Sequence, residues 1–255
     1  MAWLLSLMLS TASIVAPFRG APVEAPRFSA APDQASIGLA ETPVQEAALY
    51  RVVLVRAAPG RLLELIDALK AVQSDMASSG GWRPHLMRHS QGDHWDLMWL
   101  GPFDPETAMP ERSAEFDPRW DALIAWREEL MVRGPDVETV AAKLADASFF
   151  HIEMFVGLPG KRQELLRQRE MENAYLRGID RPENLIFWRV AGAQWDLFTL
   201  GAYRDLKHFA ESADVPEDLQ EQAAILAGFE AADRIGTYLR SLIARHQDTL
   251  AGVVR

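Results

Sequence analysis

Apolar residues follow two periodicities along the chain, and the same succession occurs twice. Residues 49–56 and 149–156 are rich in Val, Ile, Phe and Leu, a composition that favours strands. A Pro-Gly turn signal follows each of them, at 59–60 and 159–160. After the first turn, apolar residues recur at spacings of three and four, at Leu62, Leu65, Ile66, Leu69, Val72 and Met76. That spacing predicts a helix, so each copy begins with strand, turn and helix.

A fixed offset relates the two copies, which makes them an internal repeat. After a shift of 100 residues two pairs of blocks align without a gap, 49–66 with 149–166 and 92–101 with 192–201. Both members of the second pair contain Trp-Asp-Leu, at 95–97 and 195–197. A further match needs an offset of 119 and aligns 121–131 with 240–250. The second copy therefore carries 19 additional residues before this match.

The remaining segments complete the same order of elements in each copy. In the first copy we expect strands at 85–90 and 94–100, a second helix at 116–128 and a final strand at 129–133. In the second copy we expect strands at 184–190 and 194–200, a second helix at 230–245 and a final strand at 248–254. The order is βαββαβ, twice, which is the ferredoxin-like unit.

Both faces of the first strand are apolar, so both should be buried. One face carries Tyr50, Val52 and Leu54, and the other carries Val53 and Val55. Helices cover one face of such a sheet, and the simplest cover for the other is the sheet of the second copy. The predicted fold class is therefore α+β, with two ferredoxin-like βαββαβ repeats that form an intrachain α+β barrel.

This organisation divides the chain into consecutive segments. They are a signal-like or disordered segment at 1–45, a first repeat at 46–135, a linking helix at 136–147, and a second repeat at 148–255 with an inserted helix at 212–229. The inserted helix could cap the second barrel opening or cover a subunit contact. Residues 1–16 are apolar and precede a stretch rich in Ala, Pro and Ser. This pattern favours an exported or periplasmic protein. The alternative is a cytoplasmic chain with a disordered extension or a misassigned start.

Composition removes several classes of function. With 49% apolar and 24% charged residues the chain is an ordinary globular protein, so general disorder is excluded. Its net charge of -10 argues against nucleic acid as a partner, because phosphate binding needs concentrated positive charge. The absence of cysteine excludes disulfides, thiolate catalysis and iron–sulfur clusters. No apolar run reaches the ~18 residues of a membrane span.

Three motifs together point to a known family. They are the strand-Pro-Gly-helix start of each copy, the hairpin that ends in Trp-Asp-Leu-x-x-Leu-Gly, and the segment Phe116-Asp117-Pro118-Arg119-Trp120. The chain resembles the dimeric α+β barrel superfamily, and within it the NIPSNAP and antibiotic-biosynthesis-monooxygenase branch, where Asp-Pro-x-Trp is common. The second copy has 236–238 (Gly-Thr-Tyr) in place of that motif. The resemblance implies a fold that hosts monooxygenases, isomerases, lyases, haem enzymes and plain binding proteins.

The second copy has charged residues at positions where the first copy is apolar. Val53, Leu69 and Val72 correspond to Glu153, Arg169 and Glu172, and Gln73 corresponds to Asn173. Burying an unpaired charge costs several kcal/mol, so these charges must pair, reach water or contact a ligand. An intrahelical Arg169–Glu172 pair and a buried polar network are the structural alternatives to a functional site.

Strand alternation places His151, Glu153 and Phe155 on one face of their strand. The opposite face is wholly apolar and should meet the helices, so His151 and Glu153 are expected to point into the barrel lumen. A carboxylate and an imidazole there could act as general acid and base. The predicted catalytic residues are Glu153, His151, Arg169 and Glu172. The predicted ligand-binding residues are Asn173, Trp195, His208 and His246, the last lying with Asp248 where the second helix turns into the final strand.

Three functions remain open. The first is an enzyme that acts on a small organic molecule by acid–base chemistry, with no cofactor favoured. The second is a haem protein, which the resemblance to tandem barrels of the chlorite dismutase type suggests, with His151, His208 or His246 as ligand. The third is a NIPSNAP-like binding or assembly module, and a homodimer is an option in each case. We predict no metal site, because His85 and His89 share a strand face but lie ~13 Å apart.

Overall fold

The computed structural model describes residues 47–78, 82–104 and 118–254. The expected signal-like segment 1–45 lies outside these residues, so export stays a prediction. Among the described helices, none has the length and apolar character needed to cross a membrane.

Each repeat contributes four strands. The elements of the first repeat are β1 (Ala48–Ala57), α1 (Leu62–Ser78), β2 (His85–Gln91), β3 (Leu97–Pro102), a 3-10 helix (Pro118–Leu123) and β4 (Ile124–Gly134). The helix α2 (Val137–Leu144) follows, within the range expected for a linking helix. The side chain of Asp136 begins α2 by accepting a hydrogen bond from the backbone N–H of Thr139 at 2.8 Å.

The second repeat has the same strands and more helices. Its elements are β5 (Phe149–Gly157), α3 (Arg162–Gly178), β6 (Leu185–Gly192), β7 (Leu197–Tyr203), α4 (Leu206–Ala210), a 3-10 helix (Glu211–Asp214), α5 (Glu217–Leu226), a 3-10 helix (Ala232–Arg234), α6 (Ile235–Arg240) and β8 (Ile243–Val253). The insertion predicted at 212–229 contains α5.

The second helix of each copy is much shorter than predicted. In place of a helix over 116–128, the described residues show the 3-10 helix Pro118–Leu123 and then β4, which begins at Ile124. In place of a helix over 230–245, α6 ends at Arg240 and β8 begins at Ile243. Each final strand pairs along almost its whole length with the first strand of its own repeat. That pairing outweighs the helical periodicity of the sequence.

The eight strands form one closed barrel in the order β1-β3-β2-β8-β5-β7-β6-β4. Every neighbouring pair is antiparallel. The two repeats meet at two seams, β2 against β8 and β4 against β6. The predicted α+β fold with an intrachain barrel is confirmed.

Apolar side chains from all eight strands fill the interior of the barrel. They include Tyr50, Val52, Leu54, Met87, Met98, Leu100, Leu130, Val132, Phe150, Ile152, Met154, Phe187, Phe198, Leu200 and Ala251. Separate apolar clusters lie outside the barrel, one under α1 and one under α3 and α6. An eight-stranded barrel is just wide enough to be filled by side chains, so its lumen is a packed core.

The predicted orientation of β5 is therefore wrong. Ile152 and Met154 belong to the barrel interior, while Phe155 packs in the outer cluster under α3. His151 and Glu153 alternate with Ile152 and thus face outward, between the sheet and α3, instead of into the lumen. A packed interior leaves no room for ionisable groups with water or ligand, whereas the helix-covered face does.

Candidate functional site

Two adjacent strands of the second repeat carry four ionisable side chains on their outer face. His151 and Glu153 lie on β5, and His246 and Asp248 lie on β8. Glu153 is directly opposite Asp248 in the strand register, and His246 is opposite Phe155. Directly opposite residues share a face, so the alternation of both strands brings these groups together.

Helix α3 contributes a buried arginine that contacts this face. Arg169 is only 2% exposed, and its Nη1 donates to Oε2 of Glu153 at 3.2 Å. Its Nη2 donates to Glu172, one helical turn further on, and its Nε donates to the side chain of Gln168 at 2.7 Å. The hydroxyl of Thr199 on β7 also donates to Oε2 of Glu153, at 3.0 Å. The three charged substitutions of the second repeat thus meet in one network around a single guanidinium.

The two carboxylates of this network have opposite pKa shifts. Burial alone would raise the pKa of Glu153, but the neighbouring His246, Arg169 and His151 outweigh it and hold that pKa below its usual range. Burial raises the pKa of Glu172, and Arg169 offsets this only in part. Glu153 is therefore ionised at neutral pH, and Glu172 holds a proton more readily than Glu153 does.

The two imidazoles face the same carboxylates. Nε2 of His151 lies 2.7 Å from Oδ1 of Asp248. Burial lowers the pKa of His151, but the hydrogen bond to Asp248 and the charge of Glu153 outweigh it, so the pKa is raised overall. His246 is stacked on Phe155, and its Nε2 lies 3.4 Å from Glu153 and 3.6 Å from Asp248.

A small pocket opens beside this cluster, with a cavity volume of about 180 Å³. It is lined by His151, Glu153, Glu172, Leu176, Arg181, Asn184, Tyr203, Phe209 and Ser212. The lining contains the carboxylates of Glu153 and Glu172 together with the apolar or aromatic side chains of Leu176, Tyr203 and Phe209. Arg181 is held at the edge by an ion pair with Glu211 at 2.7 Å. Apolar and aromatic side chains combined with a few polar groups are the usual composition of a site for a small organic molecule.

Known structures share this architecture. An anthrone oxidase-like protein superposes with a TM-score of 0.56 at 12% identity, over 82% of this chain and 92% of its own. A proposed monooxygenase from Fusobacterium nucleatum gives 0.51 at 10% identity, over 82% and 93%. A proposed chlorite dismutase gives 0.49 at 14% identity, over 82% and 95%. The fold is that of a tandem dimeric α+β barrel. No protein-family model and no curated protein matches the sequence.

At these identities the likeness establishes the fold of the tandem barrel and leaves its activity open. The assignment to the NIPSNAP branch stays a prediction. In the first repeat, Trp120 of the motif that suggested this branch packs in the apolar cluster under α1. Residues 116 and 117 of the same motif lie outside the described part of the chain.

Of the predicted site residues, His151, Glu153 and Glu172 line the pocket of the tandem barrel. Arg169 lies behind the carboxylates, and His246 lies beside Glu153. The comparison between the copies predicts Glu153, Arg169 and Glu172, and strand alternation adds His151. His246 is predicted only from its place where the second helix turns into the final strand.

Asn173, Trp195 and His208 have structural contacts instead. The side-chain amide of Asn173 exchanges two hydrogen bonds of 2.8 Å with the backbone of Asn184, where β6 is about to begin. Nε1 of Trp195 donates to Glu128 at 3.0 Å. Nδ1 of His208 accepts from the backbone N–H of Arg204 at 3.2 Å, just after β7. None of the three is among the residues that line the pocket.

Several pocket residues were not predicted. Tyr203 ends β7, and Phe209 and Ser212 lie in the short helices that follow it. Their segments have no counterpart of matching sequence in the first copy, so the internal comparison gives no contrast there. The ring of Phe209 lies 5.4 Å from that of His151, so Phe209 is adjacent to the ionisable cluster.

A larger groove, of about 770 Å³, lies between the first repeat, the segment of α2 and the end of β8. Its lining includes Gln73, Arg83, His85, Leu144 and Asp146. Among the described residues that line it, the charged groups form no cluster like that on β5 and β8. We therefore place the candidate site in the smaller pocket.

His85 in this groove gives the protein a pH-dependent stability. Burial, and then the charge of Arg83, lowers the pKa of His85 to about 4, so the folded state resists protonation. The unfolded chain protonates this residue near pH 6.5, so its contribution is full above that pH and is lost as the pH falls towards 4. In urea unfolding at pH 7 and pH 5, the wild type should lose about 2 kcal/mol more than His85→Gln does. An equal loss in the variant would contradict this assignment.

Proposed function

We propose that the protein binds a small organic molecule, of about one ring, in the pocket beside α3 and transfers a proton to or from it through Glu172. One observation carries the proposal: Glu153 and Glu172 share the buried Arg169 and both line a pocket that opens to solvent. A purely structural ion-pair network would have no connected cavity, so this arrangement counts against the assembly-module alternative.

The size and walls of the pocket limit the ligand. A cavity of about 180 Å³ is slightly larger than the ~150 Å³ engineered cavity that holds benzene. Tyr203 and Phe209 are 5.1 Å apart and offer ring faces and edges to a planar group. Glu153 and Glu172 add carboxylates to the lining, which accept hydrogen bonds. A one-ring molecule with a hydroxyl group, or with an acidic C–H next to a carbonyl, has the matching chemistry.

Proton transfer suits the protonation states of the network. Burial raises the pKa of Glu172, so of the two carboxyls it is the one that more readily takes up a proton and can act as general acid or base. Arg169 keeps the other carboxylate charged and fixes the position of both. Removal of a substrate proton is a step common to cofactor-free oxygenation, isomerisation and elimination. Two neighbours in structure are named as an anthrone oxidase-like protein and a proposed monooxygenase, which supports an enzyme of this broad kind.

Haem does not fit the residues around the pocket. The carboxylates of Glu153 and Asp248 lie 2.7 to 3.6 Å from the Nε2 atoms of His151 and His246 and occupy the space that a porphyrin would need there, and Nδ1 of His208 accepts a backbone hydrogen bond. The cavity is also smaller than the ~300–1,000 Å³ typical of pockets that bury drug-sized ligands. No step is therefore derived through haem.

Hydrogen–deuterium exchange tests the proposed proton transfer directly. We expect the full-length protein to bind one-ring phenols or cyclic ketones in ligand-observed NMR, and to exchange the acidic C–H of a bound ketone in D₂O. Glu172→Gln should retain binding but slow the exchange by about 10²–10⁴-fold, because it removes the proton carrier and keeps the shape.

A variant at the rim provides the matched control for binding. Ser212 is exposed and lines the pocket, so Ser212→Trp should leave folding intact and block ligand entry. If Ser212→Trp binds the same compounds as the wild type, the ligand site lies elsewhere. If Glu172→Gln exchanges protons at the wild-type rate, Glu172 is not the proton carrier.

A further inference from the structure

We propose that His151, Glu153, His246 and Asp248 form a binding site for a divalent first-row transition metal such as Zn²⁺ or Fe²⁺. Ligand atoms of His151, Glu153 and Asp248 lie within 4.8 Å of one another. His246 lies next to this group of three, with its Nε2 3.4 Å from Oε1 of Glu153 and 3.6 Å from Oδ2 of Asp248. This inference does not depend on the proton transfer proposed for Glu172.

The backbone of the two strands creates the cluster. His-x-Glu on β5 and His-x-Asp on β8 each place two ligands on the same face, and the register sets Glu153 opposite Asp248. Strands adjacent in a closed barrel hold these positions rigidly. A site built on such elements is more strongly preorganised than one built on loops.

The distances at His246 suit a tetrahedral ion. Its Nε2 lies 3.4 Å from Oε1 of Glu153 and 3.6 Å from Oδ2 of Asp248. Four ligands at 2.0–2.1 Å from a metal are about 3.4 Å from each other, which is the edge of that tetrahedron. Both distances are too long for good hydrogen bonds and have the spacing of two ligands on one ion.

Nε2 of His246 and Oε1 of Glu153 each have an electron pair to offer to a metal. Nε2 of His246 is buried and has no hydrogen-bond partner among the described residues, and the side chain is only 7% exposed. On Glu153, Oε2 accepts from both Arg169 and Thr199, which leaves Oε1 towards His246. Such outer hydrogen bonds orient the carboxylate of a metal ligand.

The donor types and the surroundings indicate the class of metal. Two imidazoles with two carboxylates suit Zn²⁺ and Fe²⁺, and the chain has no cysteine that would favour a softer ion. Glu153 shares the charge of Arg169 with Glu172, so a dication would neutralise the negative charge that remains on Glu153 and Asp248. Asp248 is 55% exposed and gives a route from solvent. Because His151 and Glu153 also line the pocket, a bound ion would adjoin a bound molecule.

Metal titration of the full-length protein tests the site. After treatment with a chelator, isothermal titration with Zn²⁺ should give one site per chain. Co²⁺ should give the intense visible absorption of a tetrahedral complex. We expect Asp248→Asn and His246→Gln each to weaken Zn²⁺ binding by more than 100-fold. Thr199→Val, which removes an outer hydrogen bond, should weaken it by about 10–100-fold.

His94 provides a matched control. Its ring also lies 2.6 Å from an aspartate, Asp93, but this pair belongs to the first repeat. His94→Gln should bind Zn²⁺ as the wild type does. Circular dichroism of Asp248→Asn, whose side chain is largely exposed, verifies that the loss is not due to unfolding. The proposal is overturned if Zn²⁺ does not bind stoichiometrically, or if Asp248→Asn and His246→Gln bind it unchanged. The same holds if His94→Gln loses binding in their place. In those cases the four side chains form only an ion-pair cluster.

Discussion

Replacing Arg169 with leucine is expected to lower the free energy of unfolding by about 3–5 kcal/mol, which is the cost of leaving a buried charge without its partner. Glu153 is 8% exposed, and without the guanidinium it retains the Thr199 hydroxyl and the two imidazoles. Glu172 loses its hydrogen bond from the same group. Urea denaturation at pH 7 measures the change. The exposed Arg167 on the same helix is the control, and Arg167→Leu should stay within about 0.5 kcal/mol of the wild type.

The first repeat supplies the variant that separates charge pairing from packing. Val53, Leu69 and Val72 occupy the equivalent positions and pack in the apolar cluster under α1. The triple variant Glu153→Val, Arg169→Leu, Glu172→Val copies them into the second repeat. We expect it to recover most or all of the stability lost in Arg169→Leu, because apolar replacements of a whole buried ion network are often neutral or stabilising.

The same triple variant should lose Zn²⁺ binding and proton exchange, since it removes Glu153 and Glu172. The triple variant would thus be more stable than Arg169→Leu, but unlike the wild type it would neither bind Zn²⁺ nor exchange protons. A triple variant as unstable as Arg169→Leu alone would show that the loss in the single variant comes from packing, and would contradict the account of an unpaired charge.

The internal repeat is the reason that much of this site could be predicted. Differences between two copies of one unit mark positions where the common fold does not dictate the residue. Val53 against Glu153 and Leu69 against Arg169 are two such positions, and both belong to the network. The fold followed from the same repeat, because strand and helix periodicities recur in register and a sheet with two apolar faces needs a second sheet.

The side of the strand could not be predicted in the same way. Both faces of β5 contain apolar residues, so composition does not say which face fills the barrel. The prediction placed the apolar face against the helices, whereas the structure places Ile152 and Met154 in the lumen. The closed barrel decides which face points inward, because its interior is dry and filled by side chains. This property depends on all eight strands and not on one.

The ligand set of the proposed metal site could not be predicted from the sequence for a similar reason. His-x-Glu and His-x-Asp lie almost 100 residues apart and have no fixed sequence spacing, so only the β5–β8 register brings them together. Phe209 supplies an aromatic side chain to the pocket lining. It lies in a segment without a counterpart in the first repeat, so comparing the copies could not predict it.

Two glycines at the seams of the barrel should be among the least tolerant positions of the fold. Gly92 and Gly192 are equivalent in the repeats, and both have positive φ, at 113° and 96°. A Cβ on Gly92 would lie 2.0 Å from the carbonyl oxygen of Asp248, and one on Gly192 would lie 2.2 Å from that of Glu129. We expect Gly92→Ala and Gly192→Ala each to cost about 2–5 kcal/mol, the sum of left-handed strain and overpacking against backbone.

Gly60 and Gly160 separate these two contributions. They have φ of 78° and 77° in the equivalent Pro-Gly turns, but a Cβ on either would meet nothing within 4 Å. Their alanine variants should therefore show the strain alone, about 1–2 kcal/mol in urea denaturation. Equal losses at all four glycines would mean that the close approach of the two repeats contributes nothing. We expect a larger loss at Gly92 and Gly192, because a Cβ there would meet the backbone of the other repeat. That backbone belongs to Asp248 and Glu129, which are equivalent residues on β8 and β4, the strands at the two seams.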